Sequence, residues 1–204
     1  MNKQFELPLF PLEMVMFPQR NVPLHIFEER YKEMISGCLE NESEFGIVSG
    51  RDDAFQTIGC SAKIASLVNR FPDGRMNIVI RGRRRFRVLE RIDIHSYISG
   101  VVEEIPDESG EADPNLVAKV KALYQEAVKL SLGWHVPDKS TDTDAGELSY
   151  SVAASLNLPL KEQQDLLEMR SPRDRLRRVE GVLENALDSV REVKRRSGSN
   201  GHLA

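Results

Sequence analysis

The residues able to do chemistry are few and scattered along this 204-residue chain. Nucleophilic catalysis needs a Ser or Cys beside a base, and no Gly-x-Ser-x-Gly elbow occurs. Of the two cysteines, Cys38 recurs with Phe27, Tyr31, Met34 and Ile35 at steps of three and four. That spacing predicts a buried helical stripe from about Phe27 to Glu40, in which Cys38 is a small core hydrophobe. Cys38 and Cys60 lack the spacing of a zinc site, and His25, His95, His135 and His202 are dispersed. His25 reads as a satisfied structural imidazole just before the first helix. No glycine precedes a Lys-Ser/Thr pair as a phosphate loop requires, and Arg81-Gly82-Arg83 is a lone glycine in a strand. Glu103 and Glu104 are adjacent in a predicted strand, so they point to opposite faces. The expectation is no metal, no cofactor and no catalytic residue.

Charge offers one conspicuous feature. Arg81, Arg83, Arg84, Arg85, Arg87 and Arg91 crowd the middle of the chain. Strand alternation would send Arg83, Arg85 and Arg87 to an outer face, to pair with acids such as Glu90, Asp93, Glu103 or Glu104. The alternative is a phosphate-tracking stripe for RNA on those three arginines. The net charge of −4 argues against that alternative, because 14 basic residues stand against 17 acidic ones over 1–110 and 14 against 15 over 111–204. Neither half has the basic excess of a dedicated nucleic-acid binder.

Apolar residues offer the other. Met14, Met16 and Phe17 lie in the segment Phe10-Pro-Leu-Glu-Met-Val-Met-Phe-Pro18, and Phe71 opens a Phe-Pro-Asp-Gly turn. Methionine and phenylalanine beside loops adapt to varied apolar partners, so these four are the candidate polypeptide-binding residues, with core packing the competing role for each.

The elements that would position them change character near residue 110. Before it come an extended Phe5–Leu12, the helix, and strands at Glu44–Ser49, Gly59–Asn69, Arg75–Ile80, Arg84–Glu90 and Tyr97–Ile105. Gly82 marks a bulge or corner. Short strands at hairpin spacing with one early helix predict a small closed or nearly closed barrel. After the polar stretch from Pro106 to Asp113 the period becomes helical. Asp113-Pro114 opens one helix that Gly133 ends, Thr143–Leu156 and Leu160–Met169 follow, and Ser171-Pro172 caps the last. The predicted division is a β-rich lobe over 1–108, a helical lobe over 109–196 and a disordered tail over 197–204. No apolar run is long enough for a membrane span, and Glu6 and Pro8 interrupt any leader, so a cytoplasmic setting without membrane contact is expected.

Several ordered motifs carry a family resemblance: Leu7-Pro-Leu-Phe-Pro-Leu12, Phe17-Pro18, Pro23-Leu-His-Ile-Phe-Glu-Glu-Arg-Tyr31, Asp73-Gly-Arg75, Asn77-Ile-Val-Ile-Arg-Gly82 and Arg85-Phe-Arg-Val-Leu89. It continues through Glu147–Leu156, Gln164–Glu168 and Arg175-Leu176. Together they resemble the N-terminal, substrate-binding domain of Lon-type ATP-dependent proteases, in its stand-alone bacterial form. The resemblance implies an α+β fold: a β-rich lobe with a PUA-like pseudo-barrel, then an α-helical bundle. It implies a non-catalytic module that holds unfolded or apolar polypeptide segments, and a protease or chaperone as partner. It brings no catalytic residue to this chain.

Overall fold

The computed structural model describes residues 3–93, 95–109, 112–132 and 144–199. Seven strands come first in the chain, interrupted by one helix: β1 (Gln4–Leu12), β2 (Asn21–Ile26), α1 (Glu29–Glu40), β3 (Phe45–Arg51), β4 (Ala54–Phe55), β5 (Ile58–Arg70), β6 (Met76–Ile92) and β7 (Ser99–Glu104). Four helices follow: α2 (Pro114–Leu132), α3 (Ala145–Ser155), α4 (Leu160–Glu168) and α5 (Pro172–Ser199). The chain divides into two compact units. One holds Met1–Asp107 with Ala153–Arg170, and the other holds Glu108–Val152 with Ser171–Ala204.

In the first unit the strands close on themselves. The order β1-β7-β6-β5-β3 is completed by a parallel pairing of β1 with β3, Leu9 opposite Gly46 through Leu12 opposite Ser49. Closure leaves no free edge within the ring. Its interior is filled by Leu7, Leu9, Val48, Phe86, Ile98 and Val102. β2 and the two-residue β4 lie off the ring, β2 pairing with β6. The segments expected separately at Arg75–Ile80 and Arg84–Glu90 form one 17-residue strand, and β2 is an element the sequence reading lacks.

Gly82 is where β6 changes partners. A Cβ there would run into the Phe17 carbonyl oxygen. Its N–H donates to Arg20 O (2.9 Å), and its own carbonyl accepts from Gln19 N (3.0 Å). The bare backbone thus clamps the Phe17–Arg20 turn against the strand, which seals Phe17 and Met16 into the core.

The compact units divide the chain differently from the two expected lobes. Residues 153–170 sit with the strands rather than with the helical lobe, because α4 is tied to the sheet by Gln164, whose Nε2 donates to Ile58 O at 3.0 Å. The tail expected from 197 is helical to Ser199. Residues 133–143 and 200–204, including the expected stop at Gly133 and start at Thr143, lie outside the described residues.

The second unit is built on α5, whose Leu176, Val179, Leu183 and Leu187 are buried at helical spacing. Arg175 is also fully buried there. Its Nε donates to Ser149 Oγ (2.6 Å), and its guanidinium lies 3.7 Å from the Tyr150 ring centroid. A cation so enclosed persists because hydrogen bonds and a ring face replace its water.

Candidate functional site

The groups that could do covalent chemistry are sequestered. Cys38 and Cys60 are free and buried. Burial pushes the Cys60 thiol up to about 12 and raises that of Cys38, so neither presents a thiolate near neutral pH. Among the described residues no three His, Cys, Asp or Glu side chains are grouped to hold a metal ion.

The arginine run is divided by a bulge. Between Ala62 opposite Gly82 and Cys60 opposite Arg85, β6 fits two residues, Arg83 and Arg84, against Ser61 alone. Arg84 N–H donates to Ser61 Oγ (3.2 Å), and beyond it alternation resumes with Phe86 on the inner side of the barrel and Arg85 on the outer side. Arg85 is on that outer face as expected, yet only 4% exposed, because the C-terminal end of α4 and Asp107 cover it. It donates to Leu167 O (2.9 Å) and Met169 O (2.6 Å) and pairs with Asp107 (2.6 Å). Arg83 is exposed and 3.9 Å from Glu44, while Arg84 bridges Glu44 and Glu104 at 3.2 and 3.1 Å. Arg87 is exposed and stands opposite Glu103 in the ladder. No continuous phosphate-tracking stripe results.

The four apolar candidates separate in the same way. Met16 is 1% and Phe17 0% exposed, so both are core and cannot touch a partner in the folded state. Met14 is half-buried, in the loop after β1. Phe71 is half-buried at the β5–β6 turn and has company. His25 lies with its ring centroid 6.3 Å from that of Phe71, edge-on, and 6.0 Å from that of Phe27, stacked. Phe27, expected on the buried stripe of α1, precedes the helix and is 59% exposed. His25, expected as a satisfied structural imidazole, is exposed, with Nδ1 donating to Asn77 Oδ1 at 2.7 Å. Arg75 caps the other side of Phe71 at 5.3 Å from its centroid.

These rings are held by a three-stranded tip in which β6 is flanked by β2 and the distal half of β5. Val22, Leu24 and Ile26 alternate with Asn21, Pro23 and His25. Ile26, Met76, Ile78 and Ile80 are buried on the inner side. The opposite face presents Pro23, His25, Val79 and Asn77, with Val68 of β5 looped out between registers and 65% exposed. The period-two pattern of β2 was the available signal for Phe27, since it puts residue 27 in phase with 21, 23 and 25 rather than with the helix.

Comparison with known proteins bears on this arrangement. A family model described as the ATP-dependent protease La (LON) substrate-binding domain matches residues 6–185. The chain belongs to the LON substrate-binding domain family. Curated relatives of this LON domain include a Lon protease of Halothermothrix orenii, 27% identical over 93% of this chain and 26% of the relative. Lon protease 2 of Herpetosiphon aurantiacus is 30% identical over 90% of this chain and 24% of the relative. The chain thus spans about a quarter of the length of the curated relatives it matches. Among solved structures, a Lon N-terminal domain protein from Xanthomonas campestris aligns with a TM-score of 0.69 at 25% identity, covering 86% of this chain and 96% of that one. The N-terminal domain of the Mycobacterium avium complex Lon protease aligns with a TM-score of 0.72 at 22% identity, over 88% and 98%, and shows the same fold. The α+β expectation agrees with both. Among the described residues no helix is long and apolar enough to cross a membrane.

Proposed function

We propose that these 204 residues bind exposed apolar segments of other polypeptides and do no chemistry on them. The observation that carries this reading is the solvent-facing cluster of His25, Phe27 and Phe71, mounted on a sheet whose opposite face is core. Aromatic side chains on a rigid support give large contact area at low entropic cost. The family's description as a substrate-binding domain of a protease supports polypeptide as the ligand. Met14 and Phe71 remain contact residues in this reading, with His25 and Phe27 added and Met16 and Phe17 removed. A protease or chaperone would be the partner that receives what is held.

The test is a titration of a fluorescently labelled, reduced and carboxymethylated polypeptide against the purified chain, beside the same polypeptide in its native fold. The unfolded form should bind and the folded form should not. Equal binding of both, or of neither, contradicts the reading.

A further inference from the structure

The outer face of the β2–β6–β5 tip carries charge as well as rings, and the two are separated by a fixed interval. Residues 54–89 hold eight basic side chains and a single acid, Asp73, in a chain whose net charge is −4. Asp73 is engaged by Arg75, Nε to Oδ2 at 2.7 Å. Glu28, beside Phe27, is engaged by Arg30 at 2.9 Å, and Glu29 by Lys32 at 2.6 Å. Lys63 and Arg81 are different. Both are exposed, and among the described residues neither is in an ion pair. Arg81 is held in place by the neutral Gln19, whose Oε1 accepts from Nη2 (2.6 Å) and Nε (3.0 Å), so its orientation is fixed while its charge is left uncompensated.

Lys63 and Arg81 also face each other directly across the β5–β6 ladder. Like charges opposite one another weaken a sheet, so this pair costs the fold something and an anionic ligand would relieve it. Across the three strands the register gives Asn21, Arg81 and Lys63 one row, Pro23, Val79 and Ser66 the next, and His25, Asn77 and Asn69 the third. Four residues separate the first row from the third along β2, about 13 Å at strand rise. The tip's own edges discourage strand addition: Pro23 lacks a donor on β2, and register shifts flank Ala65 and Val68 on β5. Recognition there falls to side chains.

Building on the polypeptide-binding reading, we infer that the tip selects extended segments in which an aromatic or large aliphatic residue is followed or preceded, about four residues away, by an acidic one. The apolar residue lies on His25, Phe27 and Phe71, and the carboxylate meets Lys63 and Arg81. Segments with lysine at that position are rejected.

The experiment uses three labelled nonapeptides with the same Phe-Leu core, carrying Glu-Glu four residues from the Phe, Lys-Lys at the same place, or Glu-Glu directly adjacent, each measured by fluorescence anisotropy at 50 and 300 mM salt. The first should bind about tenfold more tightly than the other two at low salt, with the gap narrowing at high salt. Lys63→Glu should abolish the preference and raise the melting temperature, because it removes the facing like charges; a merely structural lysine would not couple those two changes. Equal binding of the three peptides overturns the charge selection while leaving polypeptide binding intact. Failure of all three, with no binding of a long unfolded polypeptide, overturns the underlying reading instead. Tighter binding of a single-stranded oligoribonucleotide than of the first peptide would overturn the inference in favour of nucleic acid.

Discussion

The guanidinium of Arg85 donates to the carbonyl oxygen of Met169 at 2.6 Å, 84 residues away in sequence, and the same nitrogen reaches Leu167 O at 2.9 Å. These oxygens sit at the C-terminal end of α4, where carbonyls lack intrahelical partners and a cation is favoured by the helix dipole. With Asp107 on its other nitrogen, Arg85 fastens α4 to the strand that also carries the β2–β6–β5 tip.

Replacing Arg85 should therefore loosen the barrel unit without touching the exposed surface. Arg85→Ala strands two carbonyls and a carboxylate, and a loss of about 3 kcal/mol is expected in urea denaturation. Arg85→Lys should recover less than half, since one ammonium cannot span the same acceptors. A loss below about 1 kcal/mol would mean that the pair behaves like a surface ion pair.

Phe17 and Phe71 should behave oppositely. Phe17→Ala empties a fully buried site beneath Gly82 and should cost about 3–5 kcal/mol. Phe71→Ala, at a half-buried turn position, should leave the melting temperature nearly unchanged and act on binding. Calorimetric melts of the two variants check this directly.

The difference between them shows what the sequence made readable. Periodicity was enough for the closed barrel, for α1 and for the capped start of α5, because each repeats a burial pattern over many residues. The glycine of Arg81-Gly82-Arg83 was readable as a bulge or corner, but not the Phe17–Arg20 turn that its bare backbone clamps. Alternation rightly placed Arg85 on the outer face of the barrel, but the α4 carbonyl that covers it comes from 82 residues further along the chain, which local pattern does not contain. Met16 and Phe17 were ambiguous for a related reason: their burial comes from backbone contacts with Gly82, 65 positions from Phe17. The His25–Phe27–Phe71 cluster joins a missed strand to a turn, a proximity that local pattern does not contain.

Stability should fall on the alkaline side as the cysteines titrate. Burial raises the folded-state Cys60 thiol to about 12 against an unfolded value near 8.5. A group raised in this way stabilises the fold fully below its unfolded value and loses that contribution as pH climbs toward the folded one. Denaturation midpoints should thus be flat through pH 8 and decline above about 8.5, less so in Cys60→Ala than in the parent. Thiol labelling at pH 8 should be slow in the native protein and complete in urea.

In the helical unit, Arg175 should be as sensitive as Arg85. Arg175→Ala leaves Ser149 and the face of Tyr150 without their cation, with an expected loss of about 3–4 kcal/mol. Ser149→Ala should cost about 1 kcal/mol. Near-ultraviolet circular dichroism of Tyr150 would report the change.

The central claim is that the exposed aromatic cluster holds polypeptide. Its most direct test is the affinity of the double variant Phe27→Ala/Phe71→Ala for a labelled unfolded polypeptide, measured beside its melting temperature. Binding weakened by about tenfold or more, equivalent to about 1.4 kcal/mol, with an unchanged melt is the predicted result. Undiminished affinity in a fully folded double variant would contradict the account.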